Sequence, residues 1–379
     1  GNSITSGGNY NTVVGDEAGT ALTTGDNNVA VGYASLKTED ANGGNTAIGY
    51  KSLEDLNAGA EGYNVAVGFQ AGLNLTLGID NIAIGANALA DDTKGSKSTA
   101  IGRAALGSSA FTTATDTYNT AVGYNAGNAV TTGIKNTLIG GAAGDANTIG
   151  FNNTAVGYDA MSANTASGAN VAIGYESLKV YNNTSEASHF NTAVGVQSGK
   201  ALTTGVENVF LGGRAGDSTT DADYNTAVGQ DALGGNVLGS RSVAIGTNAL
   251  LVQTPATATN MYNVAVGNDA GKAVTTGTQN VFIGGLSGDA IIDSHSNVAV
   301  GYAALTNDTK GSKSTAIGLE VLGSQNFTTA TDTHNTGVGF QAGASVTTGI
   351  NNTLIGSGAG DALTSGGYST AIGKGALST

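Results

Sequence analysis

Apolar and small polar residues alternate along this chain in a five-residue unit that recurs from end to end. Asn119 to Gly123 reads NTAVG, and NTLIG, NTAVG and NVAIG end at Gly140, Gly157 and Gly174. Twenty-one such units can be aligned on their final Gly, mostly 17 residues apart, with one step of 19 and four of 21. One residue before the Gly stands Val or Ile in every unit except that of Leu211, and three before stands Thr, Val or Ile. The residue between them is usually Ala, with Leu138, Phe210 and Phe282 among the exceptions. Four before the Gly comes Asn in seventeen units and Ser in four, Ser98, Ser242, Ser314 and Ser369.

Period-two alternation of β-branched residues predicts a short strand in each unit, because successive side chains of a strand point to opposite faces. Thr120 and Val122 then share one face, Ala121 and Gly123 the other. The expectation is that Thr and Val pack inward while the Ala/Gly face admits close approach of another chain. A second strand is expected over segments such as Tyr33-Ala34-Ser35-Leu36. A turn is expected over Thr131-Thr132-Gly133-Ile134-Lys135, with Gly133 supplying a positive φ. Asn119, Asn136, Asn153 and Asn191 should stack rung over rung as an amide ladder, with Val122, Ile139, Val156, Val194 and Gly123 as its structural companions.

A second period overlies the first. Four residues after the motif Gly the chain carries Gly, Gly, then Leu or Met, Leu, as at Gly127, Gly144, Met161 and Leu178. From residue 123 onward four rungs make a 72-residue unit, and segments 89–127 and 305–343, offset by 216, agree at 28 of 39 positions. Seventeen residues are too few for a helical-hairpin repeat and suit one turn of a solenoid. The predicted fold is therefore all-β: a parallel β-solenoid (β-roll or β-helix) of about 17-residue rungs with a four-rung super-repeat. It is read as one continuous repeat domain over 1–379, a segment of a longer fibre protein. At ~4.8 Å per rung it would be a rod roughly 100 Å long. So thin a coil buries little apolar area per residue ordered, and side-by-side association into a homotrimer, through the Ala/Gly and Leu faces, is expected to supply the rest.

Composition narrows the classes. Gly is 61 of 379 residues, Pro 1, and Cys and Trp 0, while charged residues make up 11%. Collagen would need Gly at every third position with abundant Pro; disorder is at odds with 40% hydrophobic residues. The net charge of −14, without basic clusters, argues against nucleic-acid binding. No apolar run approaches the ~18 residues of a membrane-spanning helix, so no membrane insertion is expected. Without Cys there is no thiol chemistry.

The string NTAVGYNAG…TTGIKNTLIG resembles repeats of phage tail-fibre proteins, where NTAVGxxAL recurs in arrays. More loosely, NVAVG and STAIG resemble the SVAIG repeats in the heads of trimeric autotransporter adhesins, whose fold is a left-handed parallel β-roll of three chains. The resemblance covers essentially the whole chain. It implies an extracellular structural fibre, on a virion or a cell surface, with itself as partner and a host-surface glycan or protein as a further one. The rungs here are longer than those of autotransporter heads. A bacterial adhesin or self-assembling fibre is the alternative, and a glycan-degrading tailspike a more distant one.

Candidate chemistry is sparse. Asp145, Asp217, Asp289 and Asp361 end GGAAGD-like strings at intervals of 72. Carboxylates four rungs apart, ~19 Å, cannot share one ion, and a turn Asp bonding its own backbone is the favoured reading. Each longer rung ends in a ring just before the Asn: Tyr63, Tyr118, Phe190, Tyr262 and His334. These are candidate receptor-facing residues, since aromatics dominate binding hot spots; that each ring anchors its longer loop over the coil is the favoured reading. His189, His295 and His334 show no pairing pattern, and no catalytic or phosphate-binding motif occurs. No enzyme activity and no cofactor are expected.

Overall fold

A computed structural model describes residues 8–378. The described chain is all-β and contains no helix. Its described residues form two compact units, one ending at Phe190 and the other beginning at Asn191. The first holds ten three-residue motif strands, from Thr12–Val14 to Val171–Ile173, and the second eleven, from Thr192–Val194 to Thr370–Ile372. Within each unit every such strand pairs in parallel and in register with the one a rung away: Thr120 stands beside Thr137, Thr137 beside Thr154, and Thr154 beside Val171. The result is a parallel β-solenoid of about 21 turns at about 17-residue spacing.

The strands face the opposite way from the sequence-based expectation. In nearly every motif strand the middle residue is buried and its two neighbours are not. Ala121, Leu138, Ala155 and Ala193 line the interior, whereas Val122, Val156 and Val194 are half-buried and Ile139 is exposed. The reason lies in strand parity. Asn119 is buried, and alternate residues share a face, so Ala121 follows it inward and Thr120 and Val122 must point out. So narrow a coil has room at this position for Ala, not for two β-branched side chains. The Ala/Gly face is thus the lining of the chain's own core and is not open to another chain.

Where the middle residue is larger, the core gives way elsewhere. A Cβ on Gly127 or Gly144 would lie 2.6 and 2.7 Å from the methyls of Leu138, and one on Gly216 or Gly288 would meet the rings of Phe210 and Phe282 at 2.6 and 2.4 Å. Beside Ala155 and Ala172 the corresponding positions are Met161 and Leu178, fully buried. Volume is conserved, in keeping with close packing.

The segment after the motif Gly is a turn, not the second strand expected over Tyr33–Leu36. Its backbone alternates in hand: Gly32, Ala34 and Leu36 have φ of 131, 52 and 47°. The alternation is held by bonds to both neighbouring rungs, with Ala34 N donating to Asp16 O and Leu36 N to Ser52 O, each at 2.9 Å. The motif Gly is required twice over. Gly123 has φ 141° and a Cβ there would sit 2.4 Å from Gly140 O. The Gly133 expectation also needs correcting: its φ is not positive, and Lys135, at 59°, takes the left-handed position. Gly133 is needed for space, since a Cβ would lie 2.4 Å from Gly150 O.

Longer rungs use their extra residues to make a second, two-residue parallel pair with the rung before. Gly95–Ser96 pairs with Thr115–Asp116, Gly239–Ser240 with Thr259–Asn260, and Gly311–Ser312 with Thr331–Asp332. A single bridge, Gly168 to Ser188, does the same in the fourth case.

Candidate functional site

The conserved chemistry of the rung is turned inward. Asn119 Oδ1 accepts the N–H of Asn136 at 2.9 Å, and its Nδ2 donates to Gly133 O at 2.7 Å. Asn136 repeats both contacts with Asn153 N (3.0 Å) and Gly150 O (2.8 Å), and Asn191 with Asn208 N (3.0 Å) and Gly205 O (2.9 Å). Each side chain bridges two backbone groups of the next rung that face away from water, where an unpaired group is costly. Ser replaces Asn at 98, 242 and 314, each just before a longer rung. There the next turn is displaced, and the hydroxyl finds Thr117 Oγ1 (2.5 Å), Gln253 Oε1 (3.2 Å) or Thr333 Oγ1 (2.5 Å).

What the rung offers to solvent is the face of the β-branched pairs. In each unit it is two columns of Thr, Val and Ile, with a single Leu, Leu211, in the second, and without a charge. Ile139 and Ile173 in the first unit are 37% exposed, and Ile283 and Ile317 in the second 40%. Beyond it, the residue after the motif Gly forms an aromatic column the sequence reading passed over. Tyr33, Tyr50 and Phe69 stack with ring centroids 5.4 and 5.1 Å apart, and Tyr158 and Tyr175 stand 5.9 Å apart. The recurring aromatic after VG and IG was the available signal.

The five ring positions of the longer rungs, Tyr63, Tyr118, Phe190, Tyr262 and His334, are all exposed. Each sits in the left-handed position before the buried Asn or its equivalent, with φ between 48 and 53°. Tyr118 bonds within its own loop, its OH donating to Asp116 Oδ2 at 3.4 Å. At Tyr118, Phe190, Tyr262 and His334 the residue before the ring, buried Thr117, His189, Met261 or Thr333, donates its N–H to the carbonyl of Ser96, Gly168, Ser240 or Ser312 in the preceding rung. Tyr118 has Lys97 Nζ 5.4 Å from its ring centre, and Lys97 in turn bonds Asp116 at 2.6 Å. Lys313 and Asp332 repeat that ion pair, also at 2.6 Å, in the rung of His334. The five rings belong to different rungs and do not converge on one cavity.

Asp145, Asp217, Asp289 and Asp361 also remain separate. Burial, and then the carboxylates of Asp159 and Asp231, hold Asp145 and Asp217 above the ordinary carboxylate range. Burial raises Asp289 too, against the hydrogen bond from Thr306 Oγ1 (2.7 Å). Asp361 Oδ1 is buried and lacks a hydrogen-bond partner. Among the described residues no three His, Asp or Glu come together as a metal-ligating group. His189 is buried beside Tyr181, which lowers its pKa by desolvation, and His295 Nδ1 accepts from Thr278 N at 3.1 Å.

Four acids that the sequence did not single out are buried: Glu176, which pairs with Lys179 at 2.6 Å, and, in the core, Glu39, Asp92 and Asp308. Asp92 Oδ1 accepts the N–H of Gly95 at 2.9 Å, the turn that Asn147 makes with Gly150, also at 2.9 Å. Asp308 accepts from Gly311 N (3.0 Å) and from Gln325 Nε2 (2.6 Å). Burial pushes the carboxyls of Glu39 and Asp92 up. These are polar members of an inward column that elsewhere holds Leu22, Leu75, Val130 and Leu202. No helix among the described residues is long and apolar enough to cross a membrane. Compared with known proteins, the chain matches no family model and no curated sequence.

Proposed function

We propose that this chain is a structural shaft segment of a phage tail fibre, built from three copies side by side and acting outside the cell as a stiff spacer. The observation that carries the reading is the ladder. Within each unit the motif strands are bonded rung to rung, the turns after the motif Gly are bonded to the neighbouring rungs, and most rungs carry a buried Asn that bridges to the next, so bending a unit breaks several bonds together. A catalytic or small-molecule role would need converging polar groups, and the recurrent polar groups here are spent on each other. The 72-residue period is a packing period: one large middle residue, flanked by two small corners, then two rungs with the sizes reversed.

The longer rungs decorate the shaft. Tyr63, Tyr118, Phe190, Tyr262 and His334 are the residues through which it would touch a host-surface glycan or protein, because they are exposed rings held on an ordered backbone. Electron microscopy of the purified chain tests the spacer reading. Unbranched rods of uniform width are expected, and compact or flexible particles would overturn it. Glycan-array binding that falls at least tenfold on Tyr118→Ala and Tyr262→Ala tests attachment; binding indifferent to both would remove these rings from that role.

A further inference from the structure

The uncharged Thr/Val/Ile face of each unit has a surface character that the rest of the chain lacks. With Ile residues 37–40% exposed on about every second rung and half-buried Val and Thr between them, the two columns form a continuous uncharged face along each unit. A contiguous uncharged face of β-branched side chains is the kind of surface that marks an interaction site. It is a paired sheet face, so its backbone groups are already bonded and only side chains remain to be covered.

We infer that this face, and not the Ala/Gly/Leu side, is where copies of the chain meet, so that the occupant is a second copy of the same chain; the inference rests on the fibre reading. Two physical arguments select the occupant. The first is charge. At a net charge of −14, two copies meeting on most surfaces would bring like charges together, whereas these two columns contain no ionisable residue. The second is period. A partner can follow the columns over ten or eleven rungs only if its own side chains repeat at the same rise, and a parallel copy does so in register, each Val or Ile meeting the rows between its counterparts. The aromatic column of Tyr33, Tyr50 and Phe69 borders this face and would close the edge of the contact.

The test is sedimentation equilibrium of the full chain and of variants in which exposed Ile is replaced: Ile139→Asp with Ile173→Asp in one unit, Ile283→Asp with Ile317→Asp in the other. Because these side chains point away from the core, the circular dichroism of the coil should be retained. The assembly should dissociate at concentrations at least tenfold higher than wild type. Ile→Thr at the same four positions, a residue the neighbouring column already carries, should weaken it in the same direction without adding charge. Tyr118→Ala, on a different column, should leave the mass unchanged. A wild-type assembly that withstands both sets of Ile variants overturns the face assignment and leaves the fibre reading standing. A wild-type chain that is monomeric at every concentration overturns both.

Discussion

At the scale of single residues, the interior asparagine explains most of the motif. Its amide needs partners out of water, finds them one rung on, and by strand parity fixes which way every other side chain points. Asn136→Ala should therefore cost about 1–3 kcal/mol, because Asn153 N and Gly150 O both lose a partner. Urea unfolding of wild type and variant measures this; a change of only a few tenths would contradict the ladder. The buried acids give a pH prediction. Asp92 titrates above its unfolded value because burial disfavours the anion. The folded state then binds its proton more tightly, so stability rises as pH falls through the raised pKa toward the ordinary range near 4, and is lost in the other direction. Asp92→Asn puts in place the residue that occupies the equivalent turn at Asn147 and Asn236. It should stabilise the chain at pH 7 by about 1 kcal/mol, an advantage that shrinks as pH is lowered through that window. Melting temperatures across pH 4–8 decide it, and a pH-independent difference would contradict the burial argument.

At the scale of the rung, the sequence was readable in period and ambiguous in phase. The motif strands, their parallel stacking and their spacing follow from the positions of Asn, β-branched residues and Gly. The facing of the strands did not. β-Branched pairs normally mark a core, and here the core is too narrow for them; the clue was Asn at the same parity as Ala, repeated too often for a solvent-facing turn. The turn after the motif Gly was equally hidden, since a left-handed Ala34 or Leu36 is unusual for residues with a Cβ and is imposed by bonds to the rungs on either side. The loop rings were found as exposed positions, yet the residues that hold the loops, Thr117 and Met261, gave no pattern of their own. The volume exchange between middle and corner residues makes a sharp prediction. Gly144→Ala should destabilise by about 1–3 kcal/mol because its Cβ would collide with Leu138; its φ of 56° is one that Met161 and Leu178 share at their own rungs. Leu138→Ala should cost about 2–4 kcal/mol. In the double variant the methyl fills space the leucine vacated, and the cost should fall below the sum by about 1 kcal/mol or more. Strict additivity in a double-mutant cycle would show that the two sites do not share a volume.

For the whole molecule, the chain spends nearly all its recurrent chemistry on building rungs and leaves one uncharged, apolar face per unit open to solvent. That combination leaves an uncharged face on each unit, which we propose is where copies of the chain meet, with exposed rings on the longer rungs. The association expected from the sequence was argued from small residues, Ala121, Ala155 and Ala193 among them, that the coil keeps for its own interior. The most direct measurement is the native mass of the purified chain. A particle of three times the 37.0 kDa chain mass, dissociating when the exposed Ile residues are replaced, is the predicted result; a stable 37.0 kDa monomer at all concentrations would contradict the account.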